Sequence, residues 1–435
     1  MRAYCFPMNL MRTLVLGTTG CLLGISSFLL APASVTASAS TGPTMTRSAG
    51  AATPPKPAVL PAVPPTDSTV FASAGPFVAG VTTLKVPALS SKGSGVSPTR
   101  PGTTAEVWYP VYPLNSHQIV AKTDYDLKAL LPAAQRKARG ARSGTLQTTA
   151  AARGEPIAPG GPFPVVVFSH GFGGFPTQSA FLMTHLASWG FVVVAPDHPS
   201  RDLAAVSSGK ARVTSPTTAT ATATATATVT VDADDLRAVV VALGRSSLRR
   251  SVDLNNLAAV GHSAGANAIV RWSAGEPRVQ GLVLLAGGVS GLSGQLPEPL
   301  RPVLFMSAAN DRLVSAQSIA SAYRSSQSPK RLIVLKDSGH LAFTEICTLG
   351  SGPGGLIGDA ERLGVVVPAA MKLLGTDGCG PPNAAVTKAW PIVRSSVVAE
   401  LRAIFGTGTP GFGLDSGTLD SLAGQGAVGS TFTIG

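Results

Sequence analysis

Three side chains, far apart in the chain, have the types and order that acyl transfer requires: Ser263, Asp311 and His340. A serine hydroxyl is a weak nucleophile near neutral pH, so it needs a base, and the base needs an orienting partner. Ser263 lies in Gly261-His262-Ser263-Ala264-Gly265. A Gly-x-Ser-x-Gly turn between a strand and a helix, followed by acid and then histidine, is the arrangement that exposes a nucleophilic serine. Of six histidines, His340 is the preferred base. It follows a strand at 331–335 after the loop Lys336-Asp337-Ser338-Gly339, so it can reach over the C-terminal edge of a sheet, where the sites of α/β proteins collect. His117 stands in a loop, His185 within a helix, and His262 beside the serine but facing the wrong way. His170 and His198 end strands and stay possible. Asp311 follows the strand ending at Met306, in Ala309-Asn310-Asp311-Arg312. Its rival Asp337 is only three residues before the histidine, on the same loop, and is poorly placed to present a carboxylate to the ring. The strand after the serine runs into Gly287-Gly288-Val289-Ser290-Gly291, with no acid before Glu298. The competing structural readings are a small-residue loop for the pentapeptide, a turn aspartate at 311 and a hydrogen-bonded surface histidine at 340.

The oxyanion that such a reaction develops needs two preorganised donors. One is expected from the backbone N–H of Ala264. The other is expected from Phe172 N–H, with Gly171 N–H in reserve, in the turn Ser169-His170-Gly171-Phe172-Gly173-Gly174. Gly171, Phe172 and Gly173 are also the candidates for a substrate-facing wall.

These side chains need a scaffold, and its strands are legible as apolar runs. Leu257–Val260 reads as a short buried strand before the serine, and Ala264 to Trp272 as a helix ending near Gly275. Pro164–Ser169 and Phe191–Ala195 are continuous apolar strands of the kind buried on both faces of a parallel sheet. A helix from about 177 to 189, ended by Gly190, joins them into a βαβ unit. Earlier strands are expected at 81–86 and 105–111, and later ones at 281–286, 302–306 and 331–335. Asp232 can cap a helix carrying Leu236, Val239, Val240 and Leu243. Ser315 caps another to about Tyr323, and Val397, Leu401, Ile404 and Phe405 face a last helix closed by Gly406. Strands alternating with helices predict an α/β architecture: a mostly parallel central sheet with helices on both faces. Residues 132–160 and 207–231, the latter with a Thr-Ala tract at 218–228, read as insertions and, by length alone, as lid candidates.

The chain has 435 residues, 44% of them hydrophobic and 13% charged, with a formal net charge of +12. Arg136, Lys137, Arg139, Arg142 and Arg153 form a basic stretch, but no nucleic-acid motif or aromatic interleaving accompanies it, so nucleic acid is not an expected partner. Arg12, the apolar run Leu14–Leu30 and Ala37-Ser38-Ala39, with Ala31-Pro32-Ala33 as a second cleavage site, predict an export signal over 1–39, cleaved to leave no stable membrane span. The competing reading is an uncleaved anchor. Residues 40–72 are rich in Ala, Ser, Thr and Pro and read as a spacer. The folded part is expected over 73–408, with 409–435 a flexible tail. Once the signal is gone, Cys347 and Cys379 remain, an even number that suggests a disulfide in an exported chain. No residue pattern suggests a metal site, a phosphate loop or any other cofactor site. The oligomeric state is open, with a monomer the default.

Over roughly residues 77–406 the chain resembles the α/β-hydrolase superfamily. Ser169-His170-Gly171-Phe172-Gly173-Gly174, Ala195-Pro196-Asp197-His198-Pro199 and Gly261-His262-Ser263-Ala264-Gly265 look like the dienelactone-hydrolase-like and platelet-activating-factor-acetylhydrolase-like esterases. The placement of serine, acid and histidine is also similar to the bacterial cutinase-like polyester hydrolases. The acetylhydrolases put their acid after the earlier strand, and the lack of an acid there moves this chain toward the polyester-hydrolase and chlorophyllase-like side. Dienelactone hydrolases proper use a cysteine where this chain has Ser263. The resemblance implies a secreted, cofactor-free hydrolase of carboxylic esters that forms an acyl-enzyme. The alternatives are a lipase, phospholipid deacetylase, polyester hydrolase or peptidase on the same triad and, outside enzymes, a surface protein that binds wall polymer.

Overall fold

The computed structural model describes residues 60–61, 66–88, 102–112, 122–139, 145–211, 232–287, 301–350, 354–362, 364–367, 369–409 and 411–435. The expected export signal, most of the spacer, His117, the Thr-Ala tract and Glu298 lie outside them. Strands β1 (Val78–Val86) and β2 (Thr103–Val111) are antiparallel neighbours. Strand β3 (Thr123–Asp126), helix α1 (Ala133–Arg139) and strand β4 (Leu146–Thr149) follow, β3 and β4 pairing as a separate two-stranded sheet. Then come β5 (Ala151–Arg153), β6 (Phe163–Ser169), α2 (Ala180–Ser188), β7 (Val192–Pro196), α3 (Leu203–Ser207) and α4 (232–243). Strand β8 (Val252–His262) leads into α5 (Ala264–Ala274), and β9 (Val279–Leu285), β10 (Val303–Ala308), α6 (Ala316–Ser325) and β11 (Lys330–Leu335) complete the alternation. The chain ends with α7 (Gly355–Arg362), α8 (Ala369–Leu374), α9 (Trp390–Ile404), α10 (Ser416–Gly424) and β12 (Ser430–Ile434).

Among the described residues, ten strands form one mixed sheet in the order β12-β11-β10-β9-β8-β6-β7-β2-β1-β5. The six from β11 to β7 are mutually parallel, with Val165 opposite both Val192 and Leu257. Side chains alternate across the strands, so each apolar run feeds two cores. Val165 and Val167, with Leu257 and Ala259, pack against Leu236 and Val239 of α4, Ile269 and Trp272 of α5 and Ile319 of α6. Val166 and Phe168, with Ala258 and Val260, face Leu182 and Leu186 of α2, Val397 and Leu401 of α9 and Leu419 of α10. Val165, Val166, Val167 and Phe168 are fully buried. Each is expected to contribute about 1.5–3 kcal/mol. This is the α/β-hydrolase architecture, with helices on both faces of the sheet. Among the described residues no helix is long and apolar enough to cross a membrane.

The turn from β8 to α5 depends on two missing side chains. A Cβ on Gly261 would stand 2.5 Å from the Gly265 carbonyl oxygen, and one on Gly265 would stand 2.0 Å from the Ser169 carbonyl oxygen of β6. Helix α5 therefore starts against the end of β6. Ser263 between them sits at φ 55° and ψ −120°, a conformation that costs a non-glycine residue on the order of 1–3 kcal/mol and persists only where the surroundings enforce it.

Three expectations are corrected. The expected tail at 409–435 is ordered: Asp415 caps α10 by accepting from Thr418 N–H at 2.8 Å, Leu414, Leu419 and Leu422 are buried, and β12 pairs antiparallel with β11. The domain also begins before residue 73, because Phe71 is buried and stacks edge-on against Trp189 and Phe412. The supposed loop at 132–160 contains α1, β4 and β5, with β5 parallel to β1. Their residues are short, small or polar, so tertiary pairing rather than periodicity sets them. Asp232 is the first described residue of α4, and its carboxylate accepts from Ser200 Oγ and from Arg201 Nε.

His185 lies on α2, and its Nε2–H donates to the Phe71 carbonyl at 2.8 Å. Burial, and secondarily the Arg394 guanidinium, pushes this imidazole down to about 3. The folded protein therefore keeps His185 neutral, whereas the unfolded chain gains its proton below about pH 6.5. Stability held above that pH is lost on acidification. Between pH 6.5 and 4 the wild type is expected to lose about 3 kcal/mol more than His185→Gln, measured by urea unfolding at both pH values. Gly265→Ala is expected to destabilise by about 3 kcal/mol or more, since the clash is with backbone. Thermal unfolding within about 2 °C of wild type would contradict that close approach.

Candidate functional site

Asp311 stands past the end of β10 and is buried. Its Oδ1 accepts from the backbone N–H groups of Leu313 and Val314, both at 2.8 Å. Its Oδ2 accepts from His340 Nδ1–H, also at 2.8 Å. One carboxylate thus does both jobs weighed in the sequence, holding its own turn and orienting the imidazole. With Nδ1 carrying the proton, Nε2 is the basic nitrogen. It is buried and has no hydrogen-bond partner among the described residues. Ser263 and His340 line one cleft of about 60 Å³ together with Gly171, Phe172 and Gly173, the expected wall residues. The rival Asp337 is exposed, at φ 48°, on the far end of the loop.

The other histidines are committed elsewhere. His262 Nε2–H donates to the His340 carbonyl at 3.2 Å, and its Nδ1 accepts from Gln178 Nε2 at 3.0 Å. Burial, then the neighbouring His340, holds its pKa well below the ordinary histidine value, so the ring stays a neutral strut. His170 Nδ1–H donates to the Gly171 carbonyl at 2.8 Å, and its Nε2 accepts from His198 N–H at 3.2 Å. His198 lies 2.9 Å from Ser169 Oγ through Nε2 and 3.1 Å from Asp235 through Nδ1. His198, Asp232 and Asp235 bring three donor atoms within 4.8 Å of one another, a spacing that a metal ion could bridge. However, both ring nitrogens have protein partners and Asp232 neutralises Arg201, so the donors fit a self-contained polar network better than a ligand set.

In the turn after β6 the three glycine amides are engaged. Gly171 N–H goes to Gln178 Oε1 at 3.3 Å, Gly173 N–H to the Arg201 carbonyl at 2.8 Å and Gly174 N–H to the Gly171 carbonyl at 3.1 Å. Phe172 N–H donates to nothing among the described residues, and neither does Ala264 N–H at the start of α5. These are the two amides expected from the sequence, and the reserve, Gly171, is already engaged.

Three positioning residues were not foreseen. Asp377, fully buried, accepts from His340 N–H at 3.2 Å, from Arg312 N–H at 3.0 Å and from Arg312 Nε at 2.7 Å. It therefore ties the loop of the histidine to the loop of the acid. Gly339 makes this possible, since a Cβ there would meet Gly378 Cα at 2.6 Å. Asp377 sits two residues before Cys379, which forms a disulfide with Cys347. Closing that loop contributes about 3–4 kcal/mol in the chain-entropy model. Gln178 and Arg201 are the other two, and only the proximity of Arg201 to the His198 segment hinted at it.

The disulfide-bounded segment also covers the cleft, through α7 and α8. Leu356, Ile357 and Met371 from it, with Leu203, line both the cleft and an adjoining, mostly apolar cavity of about 350 Å³. Among the described residues, Leu374 and Gly375 also line the cleft beside Ser263, while Thr145, Ser207, Ser208 and Gly209, from the two expected insertions, reach the larger cavity.

The family model for platelet-activating factor acetylhydrolase, isoform II, matches residues 137–222. That span includes the turn with Phe172 and the His198 segment. Among solved structures, a ferulic acid esterase from Streptomyces cinnamoneus is similar with a TM-score of 0.53 and 22% identity, covering 82% of this chain and 96% of that one. The chain is thus an α/β-hydrolase-fold protein that resembles the platelet-activating factor acetylhydrolases.

Proposed function

We propose that the protein hydrolyses carboxylic esters through Ser263, His340 and Asp311. The observation that carries this reading is the Asp311–His340 hydrogen bond, which leaves a buried, unpartnered Nε2 in the cleft that Ser263 lines. The printed names of the matching family and of the structural neighbour, both ester-cleaving enzymes, support the same reaction class.

In this mechanism Nε2 of His340 takes the Ser263 hydroxyl proton as Oγ attacks the ester carbonyl. The negative charge moves to the carbonyl oxygen, where Phe172 and Ala264 N–H donate. Each such donor is worth about 10²–10³ in kcat. The imidazolium is held by Asp311 and returns its proton to the departing alkoxide, leaving an acyl-enzyme. Water then loses a proton to His340, attacks the acyl carbon and releases the acid and the serine. All steps use side chains, backbone amides and water. The adjoining cavity favours substrates with an extended apolar group, which suits a lipid-like or polyester-like ester better than an acetate of a small alcohol. Export is part of the proposal: the signal-like N-terminus and the Cys347–Cys379 bond fit an oxidising compartment.

Ser263→Ala is expected to abolish hydrolysis of p-nitrophenyl esters and labelling by a fluorophosphonate. Asp311→Asn should lower kcat by about 10³–10⁴, while Asp337→Asn leaves it within about twofold. The rates should rise from acetate toward longer acyl chains, and tributyrin, short-chain phospholipid, polyester film and peptide in parallel assign the class. Normal turnover by Ser263→Ala would refute the mechanism, and failure of the wild type to label would favour a non-catalytic binding protein. N-terminal sequencing of the protein from culture medium should begin at Ser40.

A further inference from the structure

Arg201 is almost fully buried, and its charge is met by Asp232, whose Oδ2 accepts from Nε at 2.5 Å. A buried guanidinium is costly unless paired and fully hydrogen-bonded. Here three further hydrogen bonds go to one short piece of chain. Nη1 donates to the carbonyls of His170 and Gly171, the latter at 2.7 Å, and Nη2 donates to Ser169 Oγ at 3.0 Å. The backbone of Arg201 grips the same turn from its other side, its carbonyl accepting from Gly173 N–H at 2.8 Å. Phe172 is therefore bracketed: the carbonyl before it and the amide after it are both fixed by Arg201.

The peptide unit between Gly171 and Phe172 is planar and trans, so its C=O and N–H point in opposite directions. Fixing the Gly171 carbonyl on the guanidinium fixes the direction of Phe172 N–H. We propose that Arg201, held by Asp232, is the positioning residue of the oxyanion site, aiming Phe172 N–H into the cleft by anchoring the opposite end of its peptide plane. The inference rests on the acyl-transfer reading of Ser263 and deepens it. It gives the Asp232–Arg201 pair a task beyond packing: preorganisation of a donor that must not rotate when charge develops.

Arg201→Lys tests this, because lysine keeps a cation beside Asp232 but lacks the planar fork that spans two carbonyls. Active sites are first titrated with a fluorophosphonate, so that misfolded protein is not counted. Per titrated site, kcat for p-nitrophenyl butyrate is expected to fall about 10²-fold with KM within about threefold. Affinity for a trifluoromethyl ketone, whose serine adduct carries the oxyanion, should weaken by a similar factor, while the pH–rate profile stays in place. Asp232→Asn, which keeps the shape and removes the charge, is read in the same way and serves if the lysine variant does not fold. Unchanged kcat per titrated site with unchanged ketone affinity overturns the inference, as does a loss confined to thermal stability. A wild-type protein that neither cleaves the ester nor labels at Ser263 overturns the parent reading instead.

Discussion

Strand β8 becomes helix α5 within one residue, and α5 begins directly against the last carbonyl of β6 because position 265 has no side chain. The serine turn and the turn after β6 inherit their positions from that contact. The serine is forced to φ 55°, its amide is tied to Leu285 and the amide after it is left without a partner. The same contact sets the turn after β6 beside the serine, with a Cβ on Gly171 placed 3.3 Å from Ser263 Cβ. Two parallel strands thus end side by side, with Ser263 and Phe172 lining one cleft, which agrees with the tendency of α/β sheets to gather chemistry at their C-terminal edge.

Around this rigid pair the remaining parts are held by polar groups rather than by the sheet. His340 and Asp311 come from loops, and loops tolerate displacement that strands do not. Asp377 restrains both, taking one backbone amide from each loop, and Asp311 spends one of its two oxygens on its own turn. On the opposite side, the Gln178 carboxamide acts in two places, holding Gly171 N–H and the His262 ring. The buried ionic groups here serve placement more than net stability, since desolvation offsets much of their attraction.

The central sheet was legible because six of its strands are apolar on both faces, and such runs read directly from composition. The serine turn was legible because its sterics are local: two glycines and a serine within five residues. His340 and Asp311 followed from chain order and strand ends. Arg201, Gln178 and Asp377 were not legible, because each acts on residues that only the fold brings near, such as Asp377 on Arg312, 65 positions away. The ordered C-terminus was missed for a different reason. Its helix offers few apolar positions and its strand lies at the edge of the sheet, so β11 and the cores under α10 supply the order that its own residues do not announce.

The Cys347–Cys379 bond encloses both the cover of the cleft and, two residues inside its far end, the carboxylate that fixes the histidine loop. Shape on one side and alignment on the other are therefore anchored to a single covalent frame. Helices α7 and α8 lie between two covalently joined ends, so the residues that shape the space beside the serine and the carboxylate that holds the histidine loop share one tether.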